Sequence, residues 1–469
     1  MSKVHGKRLF GTDGIRGVAG AFPLDDATVA IIGRALAEHL AAKLGRKPNI
    51  VIGRDTRESG PGIEHALREG AETVGARVES AGVITTPGVA YITRAISFDA
   101  GVVISASHNP FLDNGIKVFS PSGKKLADEA EREIEDAVDR ARRSPSASTS
   151  RRVDTATDHP CYSESRYRNL YTEYLINDMG RGLELDGLTI GLDCANGAAY
   201  SIAPEVFKRL GARVEVISAE PDGRNINERC GSLHQDALQQ LVVDRRLDLG
   251  VSFDGDADRA LLVDARGLSV DGDQMMLILA ARMKSRGELS GHIVVSTVMS
   301  NLGFEIALRE KGIELIRAHV GDRYVLEELL ARDASLGGEQ SGHIIMPRIS
   351  LFGDGIVTAI EVLRAVRESG RTLEDLASEM ARLPQVLVNV RVTSKPRLET
   401  VPGIAATMQR IEEELGDRGR LLVRYSGTEN LARVMIEGED QATIEDQAEQ
   451  IAIAIRSAIG DSDSSGRLR

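Results

Sequence analysis

The sequence predicts an α/β protein made of three related units followed by a smaller α+β unit. Short β-branched runs alternate with amphipathic helical stretches along most of the 469 residues, as is typical of α/β architecture. The run at 75–79 (Gly-Ala-Arg-Val-Glu) recurs at 211–215, and a looser copy (Lys-Gly-Ile-Glu-Leu) stands at 311–315, each after a predicted helix. After residue 368 the order becomes β-α-β-β-α. These three observations predict repeated α/β units and a different C-terminal one.

Each predicted strand is a short apolar run, and each predicted helix shows amphipathic spacing with polar capping residues near its start. In the repeated part, strands are predicted at 49–52, 102–104, 188–192, 249–253 and 293–295, and helices at 62–73, 202–210, 304–309 and 355–368. In the last unit, strands are predicted at 385–392, 421–424 and 431–437, and helices at 404–415 and 442–459. Residues 143–160 are Ser/Thr-rich and predict a linker, while 461–469 form a polar tail.

Composition excludes several classes of function. A net charge of −12 argues against nucleic acid as a partner, although a pocket can still be locally cationic. No run of 18 apolar residues predicts a membrane span, and the first seven residues lack the apolar stretch of a secretory signal. Cys161, Cys194 and Cys230 are too few and too far apart for a disulfide framework or a zinc site. We therefore expect a cytoplasmic multidomain protein.

An acidic run follows the predicted strand at 249–253. Asp254, Asp256 and Asp258 stand at alternate positions, so an extended loop directs their carboxylates the same way. Ligation by oxygen atoms alone suits Mg²⁺. An EF-hand would need glycine and glutamate where Arg259 and Ala265 stand, so a calcium loop is excluded. The run predicts a magnesium site, with a solvated acidic turn as the alternative.

The predicted strand at 102–104 leads into residues 105–110 (Ser-Ala-Ser-His-Asn-Pro). Ser107 stands between small residues on one side and His108 on the other; His108 could accept its proton, and serine needs such help as a nucleophile. Residues 113–117 (Asp-Asn-Gly-Ile-Lys) predict a turn that brings the cation of Lys117 nearby. A serine at a strand end is more often part of a turn, so its significance depends on the acidic run.

Three further loops carry glycine with polar side chains. Residues 11–17 contain three glycines and Arg16, which suits an anion, although no P-loop ending follows. Residues 336–343 bring Glu339, Ser341 and His343 onto one loop, and acceptor-donor pairs of this kind recognise sugar hydroxyls; the alternative is a tight hairpin. Residues 424–429 (Arg-Tyr-Ser-Gly-Thr-Glu) are typical of an anion-binding loop.

These five loops, in this order, resemble the α-D-phosphohexomutase superfamily over residues 8–437. The resemblance implies four domains in a heart-shaped arrangement: three related α/β domains with mixed sheets and a C-terminal α+β domain. Gln340 stands where mannose and glucose relatives usually carry another residue. At this position the sequence most resembles the glucosamine branch. Tyr425 stands where proline is usual, and Ala257 replaces a frequent glycine, which is expected to be tolerated if its φ is negative.

The resemblance also implies domain boundaries and residue roles. The expected domains are 1–154 with a phosphoserine loop, 155–258 with the metal loop, 259–372 with the sugar-binding loop, and 373–469 with a phosphate-binding loop. The expected catalytic residues are Ser107, His108, Arg16, Lys117, Arg259 and His343. The expected substrate-binding residues are Glu339, Ser341, Arg424, Ser426, Gly427 and Thr428. The expected metal ligands are Asp254, Asp256 and Asp258 together with phosphorylated Ser107.

The implied activity interconverts glucosamine 6-phosphate and glucosamine 1-phosphate through a phosphoserine and a 1,6-bisphosphate, and so supplies UDP-N-acetylglucosamine synthesis for cell-wall precursors. One Mg²⁺ per chain, glucosamine or glucose 1,6-bisphosphate as activator, and a monomer or homodimer are expected, with no membrane or nucleic-acid partner. Lys117, His108 and His343 remain open as proton carriers. The alternatives are a phosphomannomutase or phosphoglucomutase, a Mg²⁺-dependent phosphatase and a non-catalytic sugar-phosphate-binding protein. Two distant phosphate-binding loops argue against the phosphatase, and the intact serine and aspartates argue against the binding protein.

Overall fold

The computed structural model describes residues 9–11, 14–126, 128–143, 160–426 and 430–460. Several predictions therefore fall outside the described residues. They concern the first seven residues, the tail at 461–469, Gly427, Thr428, and the predicted linker at 143–160 apart from its two end residues. The chain forms two compact units: residues up to 299 with 315–378, and 300–314 with 379 onward. Among the described helices, none combines the length and apolar content needed to span a membrane.

The first sheet of the first unit is mixed and has the strand order β1-β2-β6-β5-β3-β4. Strands β3, β4 and β5 run parallel, whereas β6, β2 and β1 each pair antiparallel with their neighbours. The strands are β1 Phe10–Gly11, β2 Gly14–Val18, β3 Asn49–Arg54, β4 Arg77–Val83, β5 Ala100–Ile104 and β6 Asp113–Phe119. The helices are α1 Asp26–Leu44, α2 Gly60–Glu72, α3 Thr86–Ala95, α4 Asp128–Arg143 and α5 Pro160–Tyr174, followed by a π-helical turn at Leu175–Met179.

The second sheet is also mixed, in the order β11-β10-β9-β7-β8, with β7 parallel to β8 and β9. The strands are β7 Thr189–Asp193, β8 Arg213–Ile217, β9 Leu249–Phe253, β10 Ala260–Asp264 and β11 Ser269–Val270, with helices α6 Ile202–Arg209 and α7 Asp236–Arg245. Strands β5 and β9 are buried along their whole length, as expected of strands covered on both faces. Their carboxyl ends lead into the serine loop and the acidic run.

The third sheet has the order β13-β12-β14-β15. The strands are β12 Ile293–Thr297, β13 Glu314–Ala318, β14 Gly337–Gly338 and β15 Ile344–Ile345. The helices of this part of the chain are α8 Gly272–Ser285, α9 Leu302–Glu310, α10 Asp322–Ala331, α11 Gly355–Ser369 and α12 Leu373–Ala377. Helix α9 belongs to the second unit, where the Asn301 amide before it donates to the Leu383 carbonyl and the Glu437 carboxylate.

The second unit contains a three-stranded antiparallel sheet in the order β16-β18-β17. Its elements are β16 Gln385–Arg391, α13 Pro402–Leu415, β17 Arg420–Tyr425, β18 Leu431–Glu437 and α14 Gln441–Ile459. An apolar cluster between this sheet and its two helices includes Val434, Ile404 and Ile451. The predicted β-α-β-β-α order is confirmed.

The repeated five-residue run marks the same turn in each α/β sheet. Gly75, Gly211 and Gly312 follow α2, α6 and α9, and their φ angles are +82°, +100° and +63°. These turns lead into β4, β8 and β13, respectively, each at the edge of its sheet. The run recurs because the chain needs a residue in the left-handed conformation between the end of each helix and this edge strand. Every strand and helix named from the sequence is present, with ends displaced by at most two residues.

The start of α11 carries a buried acid whose titration should affect stability. Asp354 caps the helix by accepting the Ile356 and Val357 N–H groups, and the Tyr171 hydroxyl donates to it at 2.6 Å. Burial raises the pKa of the Asp354 carboxyl to about 6, whereas an unfolded chain leaves it near 3.8. The native state therefore binds this proton more tightly, and stability is lost as pH rises from about 4 through 6.

We expect Asp354→Asn to remove this pH dependence, since asparagine keeps the capping oxygen and can donate to Tyr171. Between pH 4.5 and 7.5 the wild type should lose about 2 kcal/mol relative to the variant. Thermal unfolding of both proteins across that range measures the difference. Parallel pH profiles of the two proteins would contradict the assignment.

Candidate active site

The serine loop places a hydroxyl against the acidic run. Ser107 lies in the loop after β5, is 1% exposed, and has φ +52°, in the left-handed region. Its Oγ donates to Oδ2 of Asp254 at 2.5 Å and lies 3.3 Å from Nδ1 of His108. Residues 147 positions apart in the chain therefore meet at one point, as the sequence predicts.

The three carboxylates of the acidic run form one buried group. Asp254, Asp256 and Asp258 are at most 4% exposed, and one oxygen from each lies within 4.8 Å of the others. In the described part of the chain, Oδ1 of Asp256 and Oδ1 of Asp258 are buried and accept no hydrogen bond. Buried acceptors of this kind need a partner, and hard oxygen ligands suit Mg²⁺. The donor set fits a magnesium ion.

Ala257, which stands between Asp256 and Asp258, corrects one expectation. The replacement of glycine by Ala257 was expected to be tolerated if φ were negative here. The observed φ is +55°, so that condition is not met. The acidic run turns through a left-handed conformation here, and the Ala257 N–H donates to the Asp254 carbonyl at 3.1 Å. An alanine in this region costs about 1 kcal/mol of backbone strain, which the surrounding buried loop has to offset.

Lys117 lies against two of the carboxylates. Its Nζ is 2.8 Å from Oδ2 of Asp256 and 3.3 Å from Oδ2 of Asp258, and Thr86 donates to the same Asp256 oxygen at 2.5 Å. The predicted turn at 113–117 is wrong, because these residues form β6 between β2 and β5. The predicted proximity of the cation is confirmed, since the strand carries Lys117 toward the acidic group.

The acids of this group titrate differently. Burial raises the pKa of the Asp254 carboxyl well above its ordinary value, and the charges of Asp258 and Asp256 raise it further. Burial also acts to raise the pKa of Asp258, but Lys117 and His343 hold it well below its ordinary value. Carboxylates so close together raise one another's pKa when no metal is bound, and a divalent cation would offset their repulsion.

Two arginines and a histidine lie beside the serine loop. Burial, together with the charges of Arg259 and Arg16, lowers the pKa of His108 to about 4, so its imidazole is neutral at neutral pH. The Arg259 backbone N–H donates to Oδ1 of Asp254 at 3.2 Å, and its Nε lies 3.7 Å from Oδ1 of Asp258. Arg16 stands on β2 opposite Gly115 of β6. These predicted residues are therefore brought near Ser107.

His343 connects the third sheet to the acidic group. Its Nδ1 lies 3.6 Å from Oδ1 of Asp258, and its Nε2 lies 3.9 Å from Oδ2 of Asp322. Burial acts to lower the pKa of His343, but these two carboxylates raise it above its ordinary value. Asp322, which also pairs with Lys125 at 2.7 Å, was not selected from the sequence, since it is the first residue of α10 and has no acidic neighbour in sequence.

The loop with Glu339 is a tight hairpin between β14 and β15. Its Oε1 accepts the Gly321 N–H and its Oε2 accepts the Ser341 hydroxyl, each at 3.2 Å. Gln340 ties the loop to the start of α8, since its amide donates to the Asp271 side chain at 3.1 Å. The hairpin and a sugar-binding role are compatible, because the turn presents Glu339 and Ser341 together.

In the second unit, Arg424 is the penultimate residue of β17 and stands directly opposite Arg433 of β18. Opposite residues of an antiparallel pair share one face. Burial lowers the pKa of Arg424, and the charge of Arg433 lowers it further, so two guanidinium groups lie close together. Lys395 donates to the Ser426 carbonyl at 2.8 Å. Arg433 was not selected from the sequence, although strand pairing places it beside a predicted phosphate-binding residue.

Four domain profiles of the phosphoglucomutase/phosphomannomutase family match the chain: alpha/beta/alpha domain I at 7–144, domain II at 169–267, domain III at 271–383 and the C-terminal domain at 387–454. The chain therefore belongs to the phosphoglucomutase/phosphomannomutase family. The superfamily and the four-domain α/β organisation predicted from the sequence are confirmed.

Within this family, the chain is 49% identical to phosphoglucosamine mutase from Solibacter usitatus over 97% of this chain and 100% of that protein. A family member from Burkholderia thailandensis has a similar fold, with TM-score 0.77 and 23% identity over 98% of this chain and 99% of that one. So does N-acetylphosphoglucosamine mutase from Aspergillus fumigatus in complex with GlcNAc-6P and magnesium, with TM-score 0.63 and 18% identity over 98% and 97%.

Proposed function

We propose that this protein interconverts glucosamine 6-phosphate and glucosamine 1-phosphate through a phosphorylated Ser107 and a 1,6-bisphosphate intermediate. The observation that carries the proposal is the contact of the Ser107 hydroxyl with a buried group of three aspartates and a lysine. The 49% identity with a phosphoglucosamine mutase over nearly the whole chain supports this substrate. The product would be used in UDP-N-acetylglucosamine synthesis.

Asp254, Asp256 and Asp258 would hold one Mg²⁺ together with the phosphate on Ser107. When bound, the ion supplies positive charge that polarises the phosphoryl group and offsets the charge of the phosphoserine. Lys117, Arg259 and Arg16 would stabilise the remaining negative charge on the transferring oxygens. Catalysis of phosphoryl transfer rests mainly on positioning and charge stabilisation of this kind.

In the first half-reaction, the 1-hydroxyl oxygen of glucosamine 6-phosphate attacks the phosphorus on Ser107, and the bond from phosphorus to Oγ breaks. The proton of the 1-hydroxyl ends on Oγ, so serine and glucosamine 1,6-bisphosphate result. The bisphosphate then turns round, and Oγ attacks its 6-phosphoryl group, which regenerates phosphoserine and releases glucosamine 1-phosphate. The proton returns to the 6-hydroxyl oxygen.

Lys117, His108 and His343 are the proposed carriers of this proton. Of the three, His108 contacts the Ser107 hydroxyl, and its neutral imidazole can accept a proton. Lys117 and His343 lie against the carboxylates. Glu339 and Ser341 are proposed to hold ring hydroxyls in both orientations of the sugar.

We propose that Arg424, Ser426, Gly427 and Thr428 bind the substrate phosphate, with help from Arg433, which stands opposite Arg424. Arg424→Ala should raise KM for glucosamine 6-phosphate about 10- to 100-fold, because one charge-assisted contact to phosphate is lost. Initial-rate kinetics measure this change. Arg420→Ala is the control, since Arg420 stands on the same strand but pairs with Glu437. Equal KM values for wild type and Arg424→Ala would contradict the role.

The substrate is tested by comparing kcat/KM for glucosamine, glucose and mannose 1-phosphates with Mg²⁺ and trace 1,6-bisphosphate. A preference for glucosamine of about 100-fold, or about 2.7 kcal/mol, supports the proposal. Equal or reversed preferences would make the protein a phosphoglucomutase or phosphomannomutase with the same Ser107 chemistry.

The remaining expectations stand as part of this proposal. They are domains at 1–154, 155–258, 259–372 and 373–469, activation by glucosamine or glucose 1,6-bisphosphate, a monomer or homodimer, and no nucleic-acid partner. A cytoplasmic location is supported by the few, widely spaced cysteines, of which Cys194 and Cys230 are free and buried.

A further inference from the structure

Arg57 lies beneath the loop that carries Ser107, and its guanidinium has no exposed surface. It stands three residues after β3 and is the largest of the fully buried side chains in the described part of the chain. Its Nη2 donates to the carbonyls of Ser107 and Asn109, each at 2.9 Å, and its Nη1 donates to the Pro110 carbonyl at 2.5 Å. Three carbonyls of one loop therefore converge on a single side chain.

The charge of Arg57 is balanced by Asp55, which also reaches the other side of Ser107. Nε of Arg57 donates to Oδ2 of Asp55 at 2.9 Å, and the Ser105 hydroxyl donates to the same oxygen at 2.6 Å. Oγ of Ser105 in turn accepts the Ser107 N–H at 2.9 Å. The Asp55–Arg57 pair thus fixes both the N–H and the carbonyl group of Ser107.

Asn227, from the part of the chain that forms the second sheet, binds the same carbonyls. Its Nδ2 donates to the Ser107 carbonyl at 2.9 Å and to the Asn109 carbonyl at 3.0 Å. Gly255 of the acidic run also packs here, since a Cβ on it would lie 2.6 Å from the Ser107 carbonyl oxygen and 3.0 Å from Nδ2 of Asn227. The serine loop, the acidic run and Asn227 meet at this carbonyl.

The backbone of Ser107 needs such support. Its φ of +52° is a conformation that non-glycine residues adopt rarely, and such a residue keeps it only when the surrounding contacts over-determine it. A relaxed φ would swing Oγ away from Asp254. Arginine suits the task because its planar group offers five donors in a fixed arrangement, whereas lysine offers three on one atom.

We propose that Arg57 and Asn227 are positioning residues for phosphoryl transfer: they hold the Ser107 peptide so that Oγ faces the metal-binding carboxylates. This inference rests on the proposed function. Both residues act through backbone carbonyls of the serine loop, and no role in binding the sugar is assigned to them. Their loss should therefore lower kcat and the rate of Ser107 phosphorylation without changing KM for the hexose phosphate.

The test compares Asn227→Ala and Asn227→Asp with the wild type. Aspartate has the size of asparagine but places acceptor oxygens against two carbonyls. If Asn227 acts only by packing, the aspartate variant should keep the wild-type kcat. If it positions the loop, the aspartate variant should lose more kcat than the alanine variant. We expect kcat with glucosamine 1-phosphate to fall about 10-fold in the alanine variant and about 100-fold in the aspartate variant, with KM within about twofold. Intact-protein mass spectrometry measures Ser107 phosphorylation by glucose 1,6-bisphosphate, which should slow in parallel.

Asn225→Ala is the matched control, since Asn225 lies in the same loop and its amide donates to the Glu220 carbonyl instead. It should keep wild-type kcat. Arg57→Lys retains the charge but cannot reach three carbonyls, and we expect a kcat loss of at least about 100-fold. If this variant does not fold, as thermal unfolding would reveal, the Asn227 series decides.

Wild-type kcat in both Asn227 variants would overturn the positioning role, as would a kcat loss matched by an equal rise in KM. Both outcomes can be interpreted in this way only if the wild-type protein transfers the phosphoryl group. A wild type that turns over no hexose phosphate would instead overturn the proposed function itself.

Discussion

Ser107→Ala is expected to lower kcat by at least about 10⁴-fold, because the atom that receives and returns the phosphoryl group is removed. The fold should survive, since the contacts of Oγ with described residues are those with the Asp254 and His108 side chains, and the alanine methyl fits where the serine methylene lies. Coupled-assay kinetics measure the loss, and thermal unfolding checks that the variant is folded.

Ser122→Ala is the control for this substitution. Ser122 lies in the exposed turn after β6, and its hydroxyl is paired with that of Ser120, so its removal should leave kcat unchanged. A folded Ser107→Ala protein that kept substantial mutase activity would exclude a phosphoserine mechanism at this position.

Asp256→Asn is expected to lower kcat by at least about 100-fold and to weaken Mg²⁺ binding by a similar factor. The substitution removes one of the three buried carboxylates that would hold the ion, so the site attracts a divalent cation less strongly. Isothermal titration calorimetry with MgCl₂ measures the affinity. Chelation of the metal from the wild type should abolish activity, and Mg²⁺ should restore it.

The matched control is Asp264→Asn. Asp264 is a buried acid at the end of β10, where it accepts the N–H groups of Arg266 and Leu268. It lies in the same sheet but outside the acidic run, so its variant should bind Mg²⁺ as the wild type does. Unchanged affinity in Asp256→Asn, or equal losses in the two variants, would contradict the assignment of the metal site.

The serine loop and the acidic run could be located from the sequence because each follows an apolar strand. A strand that is buried on both faces is visible as an apolar run; β5 is of this kind, and β9 departs from it at Ser252. The repeated glycine turns were visible for a similar reason, since a left-handed helix end has a local signature.

Features that depend on pairing across the chain were not visible. Residues 113–117 carry turn-forming Asp, Asn and Gly, yet they form β6 because hydrogen bonds from β2 and β5 outweigh local preference. Arg433 became a candidate only when the register placed it opposite Arg424. The contacts of Arg57 likewise depend on two loops of the first sheet that are far apart in sequence.

The central claim, that the phosphoryl group passes through Ser107 to the sugar, is tested most directly by a label-transfer experiment. Wild-type protein is incubated with ³²P-labelled glucose 1,6-bisphosphate and Mg²⁺, freed of sugar, digested, and analysed by peptide mass spectrometry. We expect the label on the peptide that contains Ser107, and its quantitative transfer to glucosamine bisphosphate when glucosamine 6-phosphate is added to the undigested protein. Label on another residue, or its release as inorganic phosphate in place of transfer to the sugar, would contradict the account.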